Sequence, residues 1–223
     1  MGALAAAWSR LVSDPSDRPY GMDWVRALAV DQLEFYWNVH LWPRLQGLTD
    51  DEYLWEPVDG AWSVRPGSAG GFVLDGSAQP SDPPPVTTIA WRLMHIAVGI
   101  FYTRASTFFG DGSVPEEATM FDPRHEPATL PGTAAGALAL LERSYQWWHD
   151  GLLTLDEAAL GTPIGPRGAF FAEAPFAHLV LHLNREAMHH GGEIGVLRDL
   201  YRATGARSRD DRLVVRPGAH PAG

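Results

Sequence analysis

The residues of this chain best suited to chemistry lie in one segment, FAHLVLHLNREAMHHGGEIGVLRDLY, residues 176–201. Glu186 and His190 are four apart, so on a helix both side chains reach one point above its surface. Set at about 100° per residue around His190, the apolar residues Phe176, Leu179, Leu183, Ala187, Ile194, Leu197 and Tyr201 fall within about 60° of one line. Glu186 falls inside that stripe, at about −40°. A carboxylate and an imidazole are thus aimed at the core, and an unpaired buried carboxylate costs several kcal/mol, so it needs a partner. His95 is the candidate third member, in the apolar line Trp91, His95, Val98, Tyr102 of an earlier segment. Two His and one Glu from two helices make a triad with open positions, which suits Zn²⁺, Fe²⁺ or Ni²⁺. Two plainer readings stay open at this point: His95 as a hydrogen-bonded core imidazole, and Glu186 with His190 as a buried ion pair. His178, His182 and His189 fall at about −120°, −80° and −100°, on the flank or outer side, and His182 is close enough to be an alternative ligand. Gly191-Gly192 costs about 1 kcal/mol per Gly relative to Ala in mid-helix. It signals either close helix packing or room beside a metal.

The elements that must position these residues follow from periodicity and breakers. Asp23 to Leu45 reads as a long helix, capped by Asp23 and followed by Gly47. Residues 56–86 are too rich in Gly and Pro for a helix. They read as a long ordered loop, with short strands at Trp62–Val64 and Phe72–Leu74. Thr87 to Phe109 is the second helix, with Thr87 or Thr88 as cap and Gly110 at its end. Residues 110–131 are loop. Thr133 to Leu153 is the third helix, with the stripe Ala134, Leu138, Leu141, Tyr145, Trp148, Leu152 at spacings of three and four. Residues 154–173 are loop, and Glu173 to Tyr201 is the fourth helix, with Pro175 in its first turn. The chain divides into an N-terminal extension (1–21, with a short helix at Ala3 to Val12), a helix-bundle domain (22–203) and a tail (204–223, with a strand at Arg212–Val215). The fold class is all-α: a four-helix bundle with a long Gly/Pro-rich loop between helices one and two. That loop is long enough to cross the bundle and cover one end of it.

Composition narrows the function. The 223 residues carry 27 acidic and 17 basic side chains, a formal charge of −10. That balance argues against a nucleic-acid partner, which calls for a basic footprint. All the basic residues are Arg. There is no cysteine, which excludes disulfides, Cys-ligated zinc and a cysteine nucleophile, so any thiol chemistry needs an external thiol. No apolar run reaches the roughly 18 residues of a membrane span, and the expectation is a cytoplasmic protein that binds a small molecule. Arg92 and Arg185, each a turn or less from a proposed ligand, are the candidate contacts for an anionic cofactor or substrate, with surface solubility as the alternative reading. No catalytic acid or base is assigned.

The stretches TTIAWRLMHIAVG (87–99) and REAMHHGGEIGVLRDLY (185–201) together resemble the DinB superfamily of metalloenzymes. LTDDEYLWEP and the WSVRPG…GGFVLDG loop resemble one actinobacterial branch of it. The resemblance spans roughly residues 23–203. It implies a DinB-like bundle in up-down-down-up order, often dimeric, whose metal takes one His from helix two and two residues four apart on helix four. Those positions are His95, Glu186 and His190. Many members carry His where this chain has Glu186; the mycothiol-dependent maleylpyruvate isomerase branch is similar in having Glu. The resemblance further implies a divalent metal, zinc first and nickel or iron next. It also implies a low-molecular-weight thiol such as mycothiol, used in a transferase or detoxification reaction. The alternatives are a hydrolase using metal-activated water, and a non-catalytic bundle in which His182 or His189 closes the metal site.

Overall fold

The computed structural model describes residues 24–68, 70–76 and 82–204. The short helix expected at Ala3 to Val12 and the strand expected at Arg212–Val215 lie outside the described residues. Four long helices carry the fold. Helix α1 (24–45) runs as Trp24–Phe35, a π-helical stretch Tyr36–Leu41, and Trp42–Leu45. It ends where Gly47 takes φ +71°, a left-handed conformation that glycine adopts without a Cβ penalty. A single turn, α2 (Asp50–Tyr53), follows under a Thr49 cap. The hairpin β1 (Val64–Pro66) and β2 (Phe72–Leu74) is antiparallel, with Arg65 opposite Val73. Helix α3 (89–109) starts at Thr88, whose hydroxyl accepts from the Trp91 amide at 3.2 Å. It comprises Ile89–Met94, a π-helical His95–Tyr102 and Thr103–Phe109. Helix α4 (Ala134–Leu153) is capped by Thr133. After the short α5 (Glu157–Gly161) and a 3₁₀ turn at Pro166–Phe171, α6 (Phe176–Ala203) completes the bundle.

Both α1 and α3 pack against α4 and α6, so α1 and α3 lie across a diagonal. The long segment between them is therefore a crossing connection. Their inner faces meet in one apolar core that includes Leu33, Trp37 and Leu41 of α1 and Leu93, Met94, Ile96 and Phe101 of α3. Leu141, Tyr145 and Trp148 of α4 and Leu179, Leu183, Ala187 and Ile194 of α6 face them. Trp37 stacks on Tyr145 at 3.8 Å between ring centroids. Leu138, from the stripe expected on α4, is only partly buried.

Several boundaries differ from the sequence expectation, each for a local reason. The first strand is Val64–Pro66 and not Trp62–Val64, because Trp62 pairs in parallel with Thr87 instead. Helix α6 starts at Phe176 and not at Glu173. Pro175 is extended (φ −64°, ψ 149°) and bridges to Pro163, while the Ala174 carbonyl accepts from the Ile164 amide, so these residues are committed before the helix begins. The loops read at 110–131 and 154–173 contain short turns of helix at Pro123–His125, Glu157–Gly161 and Pro166–Phe171. Such one-turn pieces are held by caps, as Asp156 caps α5 through the Ala159 amide, and leave no periodic pattern to read.

The connection between α1 and α3 is fastened to the start of α3. The Trp62 amide donates to the Val86 carbonyl and the Thr88 amide to the Trp62 carbonyl. Asp75 accepts from the Ser63 amide and from Arg65 Nε, and its carbonyl accepts from Trp91 Nε1 at 2.8 Å. The hairpin segment therefore sits at the end of the bundle where α3 begins.

Candidate metal centre

His95 is the first residue of the π-helical stretch in α3. A π turn holds more residues than an α turn and is frequent at functional sites. Its effect here is to widen the buried face: Ile96, Ala97, Val98, Ile100 and Phe101 are all buried. The His95 ring stacks on Trp91 (5.2 Å between centroids, 11°), and Trp91 in turn lies against Trp62 of the crossing connection. Gly99 lies beside the ring, where a Cβ would make ordinary van der Waals contact with His95 Nδ1 at 3.5 Å. Burial, followed by the neighbouring His190, Arg92 and Arg104, pushes the His95 pKa down to about 4. The imidazole is thus neutral at physiological pH, the form that ligates metal. Its nitrogens make no hydrogen bond among the described residues and are not sealed from solvent.

Helix α6 supplies the other two members. Donor atoms of His95, Glu186 and His190 lie within 4.8 Å of one another, which makes the three a group able to hold a metal ion. The His95 and His190 rings meet edge to face at 4.6 Å. His190 Nε2 lies 3.4 Å from Glu186 Oε2. His190 Nδ1 lies 2.7 Å from Glu193 Oε2 and 3.3 Å from Arg92 Nη1. Both Arg92 and a protonated Nδ1 are donors, so only one of these contacts is a hydrogen bond. The shorter, to the carboxylate, sets the tautomer: Nδ1–H donates to Glu193, and the Nε2 lone pair is left toward Glu186 and His95. A histidine that binds metal through one nitrogen and a carboxylate through the other is a common arrangement.

Glu193 is the site residue that sequence reasoning missed. It falls at about −60° from His190, the edge of the same stripe, and that was the available signal. Its carboxylate is ion-paired to Arg92 Nε at 2.8 Å, although the N–H there is not aligned for a hydrogen bond. Arg92, read from sequence as an anion contact, is thus engaged within the protein. Arg185, the other such candidate, is two-thirds exposed; it lies 2.7 Å from His182 Nδ1 and 3.9 Å from Glu186 Oε1. A second group, His189, His190 and Glu193, also brings donors within 4.8 Å. Its Glu193 is already shared by Arg92 and the His190 proton, so the His95 group has the freer donor set. His178 and His189 are exposed and His182 partly buried, as their helix angles require.

Gly191 and Gly192 play separate parts. A Cβ on Gly191 would stand 2.1 Å from Tyr36 Oη and 3.0 Å from Leu41 Cδ1, whereas one on Gly192 would meet nothing within 4 Å. Tyr36 reaches across to donate to the Met188 carbonyl at 3.2 Å. Close packing of α1 on α6 therefore accounts for Gly191.

Among the described residues no helix is long and apolar enough to cross a membrane. No curated protein and no solved structure matches the chain. The model of the DinB superfamily matches residues 32–194, a span that holds α3, α4, most of α1 and α6, and all three donors of the His95 group, and the chain belongs to that superfamily.

Proposed function

We propose that this protein is a metal-dependent enzyme that uses a low-molecular-weight thiol, such as mycothiol, in a transferase or detoxification reaction. The observation that carries the reading is the convergence of two imidazoles and one carboxylate within 4.8 Å. Nitrogen and oxygen donors of this kind suit a divalent ion, zinc first. His95, Glu186 and His190 would hold it. When bound, such a metal lowers the pKa of a coordinated thiol and supplies sulfur as the thiolate nucleophile. The protein's own contribution is positional. Glu193 holds the His190 proton on Nδ1, Arg92 holds Glu193, and Trp91 fixes the plane of His95 while shielding one face from water. With no cysteine in the chain, the thiol comes from outside.

The test is metal content and thiol response in one series. Purified native protein should carry about one zinc per chain, Glu186→Ala should lose it, and His189→Ala should keep it. Equal metal in the two variants would remove Glu186 from the ligand set. In cobalt-loaded native protein, mycothiol should produce a sulfur-to-cobalt charge-transfer band. Absence of that band with metal retained would refute the thiol and leave hydrolysis as the reading.

A further inference from the structure

Arg104 lies on α3 beyond the π-helical stretch, half-buried, and among the described residues it has no carboxylate partner. Its Nη1 donates to Thr103 Oγ1 at 2.8 Å and to the Met120 carbonyl at 2.6 Å. Its Nε is buried with no partner. Nη2 has none either and, unlike Nε, is not sealed from solvent. A guanidinium drawn out of water without a counter-charge is costly unless an anion joins it. Burial pushes its pKa down to about 10.

The surroundings lead from Arg104 to the metal donors by contact. Arg104 Cζ lies 4.8 Å over the Phe121 ring. Phe121 stacks on Phe170 (5.2 Å, 10°), Phe170 touches Phe171 at 4.3 Å, and Phe171 lies 6.0 Å from the His182 ring. His182 Nδ1 is 3.7 Å from Glu186 Oε1. Phe170 is 78% exposed and Phe121 47%, large rings that folding alone would bury. Phe170 follows Ala169, which is held at φ 52°, ψ −119°, a strained backbone of the kind that collects at ligand sites. The two loops are pinned together, since the Met120 amide donates to the Arg167 carbonyl at 2.8 Å.

We propose that Arg104 and the Phe121–Phe170–Phe171 cluster form the subsite for the substrate, a small molecule with a flat apolar body and a carboxylate. The guanidinium pairs with the carboxylate through Nη2, its partner-free nitrogen that solvent reaches, a charge-assisted contact. The exposed rings stack on the apolar body. The assignment rests on the His95 group being the reaction centre, toward which the aromatic line leads.

The probe is phenylacetate, with phenylacetamide and phenyl phosphate as comparisons, titrated calorimetrically into the metal-free and zinc-loaded full chain. Phenylacetate should bind metal-free protein at least about tenfold more tightly than the uncharged amide, as a hydrogen bond to a charged group implies. Arg104→Gln should erase that difference with zinc content unchanged. Phe170→Ala should weaken acid and amide alike. Equal affinity for acid and amide in the native protein, or native-like phenylacetate binding by Arg104→Gln, overturns the proposal. Tighter binding of phenyl phosphate than of phenylacetate overturns the carboxylate assignment. If Arg104→Gln fails to fold, Phe170→Ala decides, because that side chain is exposed; unchanged affinity there overturns the subsite. Loss of zinc binding alone counts against the metal centre, while carboxylate binding to metal-free protein still reads the subsite.

Discussion

At His190 the two ring nitrogens have separate roles, and the chain spends two further residues on keeping them so. Glu193 takes the Nδ1 proton and Arg92 neutralises Glu193. Truncating Glu193 to Ala leaves the three proposed ligands in place but frees the tautomer. Zinc affinity measured by chelator competition should fall about 10–100-fold, the usual effect of losing such a support; unchanged affinity would show that Nδ1 needs no acceptor. His95 carries a second consequence. Its pKa is about 4 in the folded chain against an ordinary 6.5, so below pH 6.5 the unfolded chain binds more protons at this residue. Its contribution to stability is therefore full above pH 6.5, falls as pH is lowered, and is spent once pH passes through about 4. In metal-free protein, urea unfolding at neutral pH and at mildly acid pH should show a larger loss for the native chain than for His95→Gln. The titrating carboxylates are common to both, so an equal loss would remove His95 as the cause.

At the scale of the elements, two contacts fix how α6 docks. Arg198 of α6 is buried against Glu52 of α2, with Nε–Oε1 at 2.7 Å and Nη2–Oε2 at 2.9 Å, and its Nη1 donates to the Gln46 carbonyl at 3.1 Å and to the Arg44 carbonyl. The guanidinium thus ties α6 to the turn that ends α1. Glu52→Ala leaves the cation buried and unpaired, and should cost about 3–5 kcal/mol in chemical denaturation; a loss near that of an exposed pair, below about 1 kcal/mol, would refute the buried role. The adjacent glycines give a matched comparison. Gly191→Ala drives a methyl into Tyr36 and should destabilise by about 1–3 kcal/mol, as overpacking does. Gly192→Ala meets open space and should stabilise by up to about 1 kcal/mol through helix propensity. Similar effects at the two positions would mean that Tyr36 yields.

For the whole molecule, we expect the charge of −10 to disfavour binding to nucleic acid, which calls for a basic footprint. Membership of the superfamily makes a homodimer our expectation, and Leu181, Val196 and Leu200 of α6 remain about half exposed with Trp24 and Leu28 of α1, apolar surface that a second copy would cover. Light scattering at micromolar concentration should give twice the 24.4 kDa chain mass. A mass equal to one chain would refute the dimer.

By itself the sequence determined the four long helices and the inward facing of His95, Glu186 and His190, because helical period and caps are local and a stripe shared by apolar and ionisable residues declares which side chains turn inward; that the three donors come within 4.8 Å of one another is a fact of the tertiary structure. Thr88, one of the two caps expected for α3, is its cap, and the flank angles of His178 and His189 match their exposure. Tertiary structure alone decided the rest. The π-helical turns at 36–41 and 95–102 follow no periodicity that the sequence displays. Glu193 stands beside His190 on the same helix, but its pairing with Arg92, roughly a hundred positions earlier, exists only in the folded bundle. Glu52 and Arg198 stand 146 residues apart, and neither position marks the other in the sequence. Local rules fix backbone form and facing, whereas a pairing between distant charges exists only after the bundle has closed and removed the water that would otherwise have solvated both.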